Sequence, residues 1–282
     1  MKRVLIFGTG STGQRIYGEV KEKVQVVGFL DNDKSRWKME IDHIPVIGNA
    51  RMVKEVEYDE ILICSLTGFK IIKEELLEAG VPGEKIRTDY VETQVNARIN
   101  FLYDFADMNR KKVDGYAIAE GGVFQGEFAK EINACFPNNK LYLFDTFEGF
   151  DKRDTVAEEK NQFLGLGAHH LNITSEELVL GKLPFRENAI IRKGYFPDTT
   201  RGLESTKYFF VNLDFDLYKP ILEGLRFFFP RMVDGGCILI HDYFNPGYPG
   251  VKQAVLDYQK ENNFILYKFP IGDHCSIGIL KI

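Results

Sequence analysis

Long apolar runs are missing from these 282 residues. No stretch approaches the roughly 20 apolar residues of a bilayer-spanning helix. The basic start MKRVLIFGTG holds only VLIF before its first glycine, too short for the apolar core of a secretion signal. Positive charge is not in excess either: 36 Lys and Arg stand against 41 Asp and Glu, a formal net charge of −5. No basic run is interleaved with aromatics, so no nucleic-acid surface is expected. Cysteine is scarce. Cys64, Cys135, Cys237 and Cys275 are scattered, with no CxxC or metal spacing, and read as reduced core residues. Together these absences predict a cytoplasmic protein that neither crosses a membrane nor binds nucleic acid.

What is present is alternation. Apolar strand-like runs alternate with amphipathic helical ones, which predicts an α/β chain of parallel sheets with right-handed crossovers. RVLIFG (3–8), VQVVGFLDND (24–33) and EILICSL (60–66) read as strands of a first Rossmann-like domain, residues 1–90. Helices are expected from Gln14 to Lys23 and over 69–80. Residues 90–112 have helical period and no Gly or Pro, and read as a connecting helix. A second Rossmann-like domain, residues 91–282, supplies strands at 115–120, 140–145, 188–194, 207–214, 235–242, 263–269 and 276–282. The last two are joined by only PIGDHC, too short for a helical crossover, so they must pair antiparallel. That ending, a parallel sheet whose last strand is antiparallel, is the architecture of a class I methyltransferase sheet.

In the second domain an apolar strand runs into Glu120-Gly-Gly122-x-x-x-Gly126, and the next strand ends at Asp145. Glycines let backbone approach a ligand, and a strand-end carboxylate can accept bonds from ribose hydroxyls. An acid already at the first strand tip suits an amino-acid-bearing nucleoside better than a pyrophosphate, so S-adenosylmethionine is the expected cofactor. In the first domain Gly8-Thr-Gly10-Ser-Thr-Gly13 follows a strand and opens a helix, with Asp31 and Asp33 at the next strand tip. This pattern predicts a nucleotide or NAD there. If residues 1–90 bind no nucleotide, homo-oligomerisation or substrate docking is the expected role.

Three ordered motifs carry a resemblance. Asp145-Thr146-Phe147-Glu148-Gly149-Phe150, Leu213-Asp214-Phe-Asp216-Leu-Tyr218, and the run from Pro230 through His241-Asp242-Tyr243 together resemble the macrocin O-methyltransferase (TylF/MycF) family over residues 95–282. The resemblance implies S-adenosylmethionine held by Glu120, Gly122, Gly126, Asp145, Thr146 and Phe147, and methylation of a sugar or nucleotide-sugar hydroxyl. It also implies a divalent metal on Asp214 and Asp242, with the position before Asp242 as third ligand. The family has Asp there and this chain has His241. Imidazole favours a transition metal over Mg²⁺. His241 is instead the general base in the reading in which it ligates no metal. Residues 1–80 resemble small Rossmann-like domains of bacterial polysaccharide and sugar-modifying enzymes, through GTGSTG, Gly28-Phe-Leu-Asp31-Asn-Asp33 and His43-Ile-Pro45-Val46-Ile47-Gly48. The nucleotide-contact residues so implied are Gly8, Gly10, Gly13 and Asp31.

Two rival readings stand beside this one. An NAD-dependent sugar-nucleotide oxidoreductase or epimerase would need a Tyr-x-x-x-Lys pair; Tyr17 and Lys21 have the spacing but lie in the first helix. A non-catalytic nucleotide-sugar-binding protein would keep the fold alone. Weaker candidates are His169 and His170, Asp198 and Trp37. Phe227, Phe228 and Phe229 read as core.

Overall fold

A computed structural model of the chain describes residues 1–66, 68–161, 163, 169–273 and 275–282, and of Val95, His169 and His170 the backbone alone. The chain divides into two compact units, Met1–Asn96 and Ala97–Ile282.

In the first unit, strand β1 (Arg3–Phe7) leads through the glycine-rich turn to helix α1 (Ser11–Val20). Then follow β2 (Gln25–Leu30), the short β3 (Glu40–Ile41), β4 (Ile44–Gly48), β5 (Glu60–Ile63), helix α2 (Phe69–Glu78) and β6 (Ile86–Arg87). The sheet order is β3-β4-β2-β1-β5-β6. All its pairs are parallel except β3 with β4. The core lies between sheet and helices, where Leu5, Ile6, Ile16, Phe29, Leu30 and Ile61 are wholly buried. Helix α3 (Asp89–Asn109) runs through the division between the units.

The second unit continues with β7 (Ala117–Gly121), α4 (Glu127–Cys135), β8 (Leu141–Asp145), α5 (Lys152–Lys160), α6 (Glu176–Lys182) and β9 (Ala189–Lys193). After these come β10 (Tyr208–Leu213), α7 (Tyr218–Phe228), β11 (Met232–Ile240), α8 (Pro249–Asn262), β12 (Tyr267–Pro270) and β13 (Ile277–Leu280). Its order is β12-β13-β11-β10-β7-β8-β9. Every residue of β7 and of β10 is buried, because apolar clusters cover both faces of the sheet. Along β7, Ala117 and Ala119 join one cluster and Ile118 the other, the period-two alternation of a strand. Strand β13 is inserted between β11 and β12, antiparallel to both. Only β13 is therefore reversed, and β12 runs with the rest of the sheet.

Several boundaries differ from the sequence expectation. The strand expected over 263–269 begins only at Tyr267. Asn263, at φ +53°, instead closes α8 with a left-handed cap, and Ile265 is exposed. Helix α1 begins at Ser11 because the turn before it is only three residues long. Phe228 is a core residue, as expected, and Phe227 and Phe229 pack against that core while partly buried.

Candidate cofactor and cation site

The glycine-rich turn after β7 and the tip of β8 meet as expected, but through their own atoms. Asp145 Oδ2 accepts from the backbone N–H of Val123 at 2.7 Å and of Phe124 at 2.9 Å, and Oδ1 accepts from Phe147 N–H at 2.7 Å. The carboxylate thus ties the turn to its own loop. A carboxylate offers about four acceptor sites, so little capacity is left over for a ribose. Thr146 also turns inward, with Oγ1 donating to the carbonyl of Gly149. The first unit repeats the device. Asp31 Oδ2 accepts from Thr9 N–H at 2.9 Å and from the Thr9 hydroxyl, and Oδ1 accepts from Asp33 N–H at 2.9 Å.

The glycines separate into those the fold requires and one it does not. A Cβ on Gly122, at φ +79°, would lie 2.0 Å from the carbonyl oxygen of Asp214. A Cβ on Gly13 would lie 1.9 Å from the carbonyl oxygen of Gly8. Both are demanded by close backbone approach. Gly126 is left-handed at φ +79° and faces Val179. Gly10 is different: its φ is −70°, and a Cβ there would meet only Arg36 Nη1, at 3.8 Å. Gly10 caps α1 with no side-chain bond, and Arg36 Nη1 donates to Thr9 Oγ1 at 3.1 Å beside it.

Parallel pairing of β10 with β11 brings their C-terminal ends together. Asp214, Asp216, His241 and Asp242 each offer a donor atom there, all within 4.8 Å of one another. His241 Nδ1 stands 3.0 Å from Asp214 Oδ1 and 2.8 Å from Asp242 Oδ2. Asn245 donates to Asp242 Oδ1 at 2.6 Å. Asp216 and Asp242 have φ of +62° and +58°, a left-handed conformation that Asp tolerates better than most residues.

Charge crowding sets the protonation. Burial pushes the Asp216 carboxyl well up, and the neighbouring Asp214 and Asp242 add to it. Burial would raise Asp214 as well, but the charges of His241 and Arg98 hold it below its usual value. For Asp242 the bond and charge of His241 outweigh burial, and its carboxyl is lowered. His241 is raised well above its ordinary value, because Asp214 more than offsets the burial of the ring. Three carboxylates on one site cannot all ionise without added positive charge.

Behind the cluster runs a buried chain of polar groups. Arg98 Nη2 donates to Asp214 Oδ2 at 2.9 Å and to Asn212 Oδ1 at 2.8 Å. Asn212 Nδ2 donates to Glu120 Oε1 at 2.9 Å. Glu120 is only 1% exposed, and burial pushes its carboxyl up to about 8 against the pull of Arg98. Arg98 Nε and Glu120 Oε2 are buried without a hydrogen-bond partner among the described residues.

Asp216, Asn212, Arg98 and Cys275 were not singled out as site residues from the sequence. Asp216 stands in the quoted L-D-x-D-L-Y motif, so its signal was present. Arg98 lies in the helix read as a connector, and nothing local marks it. Of the weaker candidates, Asp198 is exposed and pairs with Arg153 at 3.4 Å. Trp37 Nε1 donates to the Asp31 carbonyl at 2.7 Å, so its ring is tied to the strand tip. Tyr17 is buried against Phe29, with Lys21 over its ring, and forms no reactive pair. The side chains of His169 and His170 lie outside the described residues.

Residues 95–271 match the family described as Macrocin-O-methyltransferase (TylF). The chain belongs to that family. Residues 1–87 match the family described as C2185-like, N-terminal, so the first-unit match carries no nucleotide-sugar assignment. The chain is also similar to the 8-demethyl-8-(2,3-dimethoxy-alpha-L-rhamnosyl)-tetracenomycin-C 4'-O-methyltransferase of Streptomyces olivaceus, 24% identical over 156 residues. That match covers 50% of this chain and 57% of the relative, so the chain spans little more than half the length of the curated relative. Among solved structures, the O-methyltransferase NovP matches with TM-score 0.52 at 19% identity, over 66% of this chain and 79% of that one. The calicheamicin methyltransferase CalS11 matches with TM-score 0.52 at 18% identity, over 76% and 91%. These two likenesses bear on the fold. No helix among the described residues is long and apolar enough to cross a membrane.

Proposed function

We propose that the protein is an S-adenosylmethionine-dependent O-methyltransferase that acts on a sugar hydroxyl with the help of a divalent cation. The observation that carries this reading is the meeting of the Gly121–Gly122 turn with the Asp214, Asp216, His241, Asp242 cluster at one sheet edge. Asp214 N–H donates to the Gly121 carbonyl at 2.7 Å, so a methyl donor on the turn and an acceptor at the cluster would be neighbours. Family membership and the relatives' names point to sugar acceptors.

The residues fit both groups. Among the described residues Arg98 Nε and Glu120 Oε2 are a buried donor and acceptor without partners, suited to the carboxylate and ammonium of an amino-acid-bearing cofactor. Gly122, Gly126, Asp145, Thr146 and Phe147 shape the turn that would hold its nucleoside. Bound there, the cofactor supplies an electrophilic methyl group. Three carboxylates and an imidazole gather within 4.8 Å, which suits a cation on Asp214, Asp216, His241 and Asp242; such an ion would lower the pKa of an acceptor hydroxyl. The chain itself positions the acceptor, and Asp242 and Asp214 orient the His241 ring. Without a metal, His241 is raised well above its ordinary value beside Asp214, so it would act as general base only after giving up the proton it already holds.

For the first unit, the unfilled space at Gly10 beside Arg36 favours a nucleotide phosphate on the turn formed by Gly8, Gly10 and Gly13. Asp31, already bonded to Thr9, holds that turn in shape.

Isothermal titration with S-adenosylhomocysteine, followed by mass spectrometry of sugar and nucleotide-sugar acceptors incubated with S-adenosylmethionine, tests the reading. One bound equivalent and a methylated sugar are expected. Absence of binding would overturn it.

A further inference from the structure

We infer that the cation site extends to Cys275 and takes a zinc-class ion on His241, Asp242 and Cys275, rather than Mg²⁺ on oxygen alone. The inference rests on the cation-assisted reading of this site. These three residues form a second cluster, with donor atoms all within 4.8 Å of one another. It shares His241 and Asp242 with the aspartate cluster.

The Cys275 thiol differs from the buried cysteines. Cys237 is wholly buried within β11, and the Cys64 thiol rests 3.6 Å from a backbone carbonyl, that of Leu62. Cys275 is half-buried, and its Sγ lies 3.1 Å from Asp242 Oδ1. Its thiol therefore faces a carboxylate that itself contacts the imidazole at 2.8 Å. Tetrahedral zinc with bonds of about 2.0–2.3 Å sets its donor atoms roughly 3.3–3.8 Å apart. The observed cluster needs shifts of only a few tenths of an ångström at its closest pairs.

The loop that carries the thiol is built to hold it. Cys275 N–H donates to Asp273 Oδ1 at 3.0 Å, and its carbonyl accepts from Phe244 N–H at 2.9 Å. The buried Asp273 also accepts from Ser276 N–H at 2.7 Å and from the Ser276 hydroxyl. Partners of this kind orient metal ligands. The donor chemistry then decides the ion. Mg²⁺ asks for six hard oxygens in near-octahedral array. One nitrogen, one oxygen and one sulfur match zinc and its neighbours among the transition metals. On binding, the thiol proton passes to solvent and the sulfur ligates as thiolate.

Metal-free full-length protein titrated with Co²⁺, a spectroscopic substitute for Zn²⁺, tests this directly. One Co²⁺ per chain is expected, with an intense thiolate-to-cobalt charge-transfer band. In Cys275→Ser the band should vanish and the Zn²⁺ affinity, read by competition with a chromophoric chelator, should fall by more than about a hundredfold, beyond what loss of an outer-sphere partner costs. His241→Asp should recover Mg²⁺ binding. Stoichiometric Co²⁺ binding without the band in the wild-type chain would overturn the inference, while leaving an oxygen-ligated cation site intact. A band that persists in Cys275→Ser would overturn it too, by assigning the thiolate to another cysteine. No Co²⁺, Zn²⁺ or Mg²⁺ binding at all would remove the cation from the proposed function as well. The wild-type spectrum decides even if Cys275→Ser fails to fold.

Discussion

Replacing Asp145 by alanine should loosen the second unit before any ligand is added. Its carboxylate accepts three backbone N–H groups, from Val123, Phe124 and Phe147. A hydrogen bond to a charged group is worth about 1.5–3 kcal/mol. The three share one carboxylate, and freed amides at this half-buried place can turn to water, so they do not add. A loss of about 2–4 kcal/mol follows. For a domain of this size each kcal/mol moves Tm by about 2–4 °C, so Asp145→Ala should melt roughly 4–16 °C lower. Scanning calorimetry of the ligand-free protein measures it, with S-adenosylhomocysteine titration alongside. Affinity should fall too, because the turn is no longer pre-shaped. An unchanged Tm with lost affinity would refute the argument and return Asp145 to a direct ribose contact.

Asp154 gives a pH test. It is 6% exposed, and burial pushes its carboxyl up from 3.8 to about 6, even though the Tyr195 hydroxyl donates to it at 3.0 Å. The folded chain holds this proton more tightly than the unfolded one, so stability falls as pH rises from about 4 to 6, by roughly 3 kcal/mol in all. Asp154→Asn should flatten that part of the urea-midpoint profile; a profile identical to wild type would count against it. In the first unit, Gly10→Val should abolish thermal stabilisation by nucleotides and sugar nucleotides while leaving the unliganded Tm within a degree or two of wild type, whereas Gly13→Ala should destabilise the fold outright. If Gly10→Val keeps that stabilisation, no phosphate sits at the turn.

The sheet of the second unit was legible because its strands are apolar runs, those at 115–120, 140–145, 207–214 and 235–242 ending in acids, and because PIGDHC is too short for a crossover. The antiparallel last strand, β13, was legible from that short connection; its insertion between β11 and β12 was not, since pairing partners are set by the whole sheet. Asp214, His241 and Asp242 could be placed together because neighbouring parallel strands end on one edge. Arg98 could not, because its partners Asn212 and Asp214 are more than a hundred residues away. Cys275 was hidden for a related reason: a lone cysteine in an apolar run reads as core until a carboxylate is found beside it. Asp31 and Asp145 stand at strand ends as read from the sequence, but strand-end chemistry alone does not reveal that neighbouring N–H and hydroxyl groups fill most of their acceptor sites.

Gly122 leaves no room for a Cβ against the Asp214 carbonyl, so the turn after β7 lies in backbone contact with the end of β10, and on the proposed reading these two segments would hold the cofactor and the cation. Two ligands held on them cannot then be independent. Whatever factor the first contributes to the affinity of the second, the second returns to the first. On the proposed reading, displacing Asp214, through loss of the ion or departure of a methylated product, would be felt through that contact as a change in the off-rate of the nucleoside, and a backbone approach that only glycine permits would couple the order in which products leave.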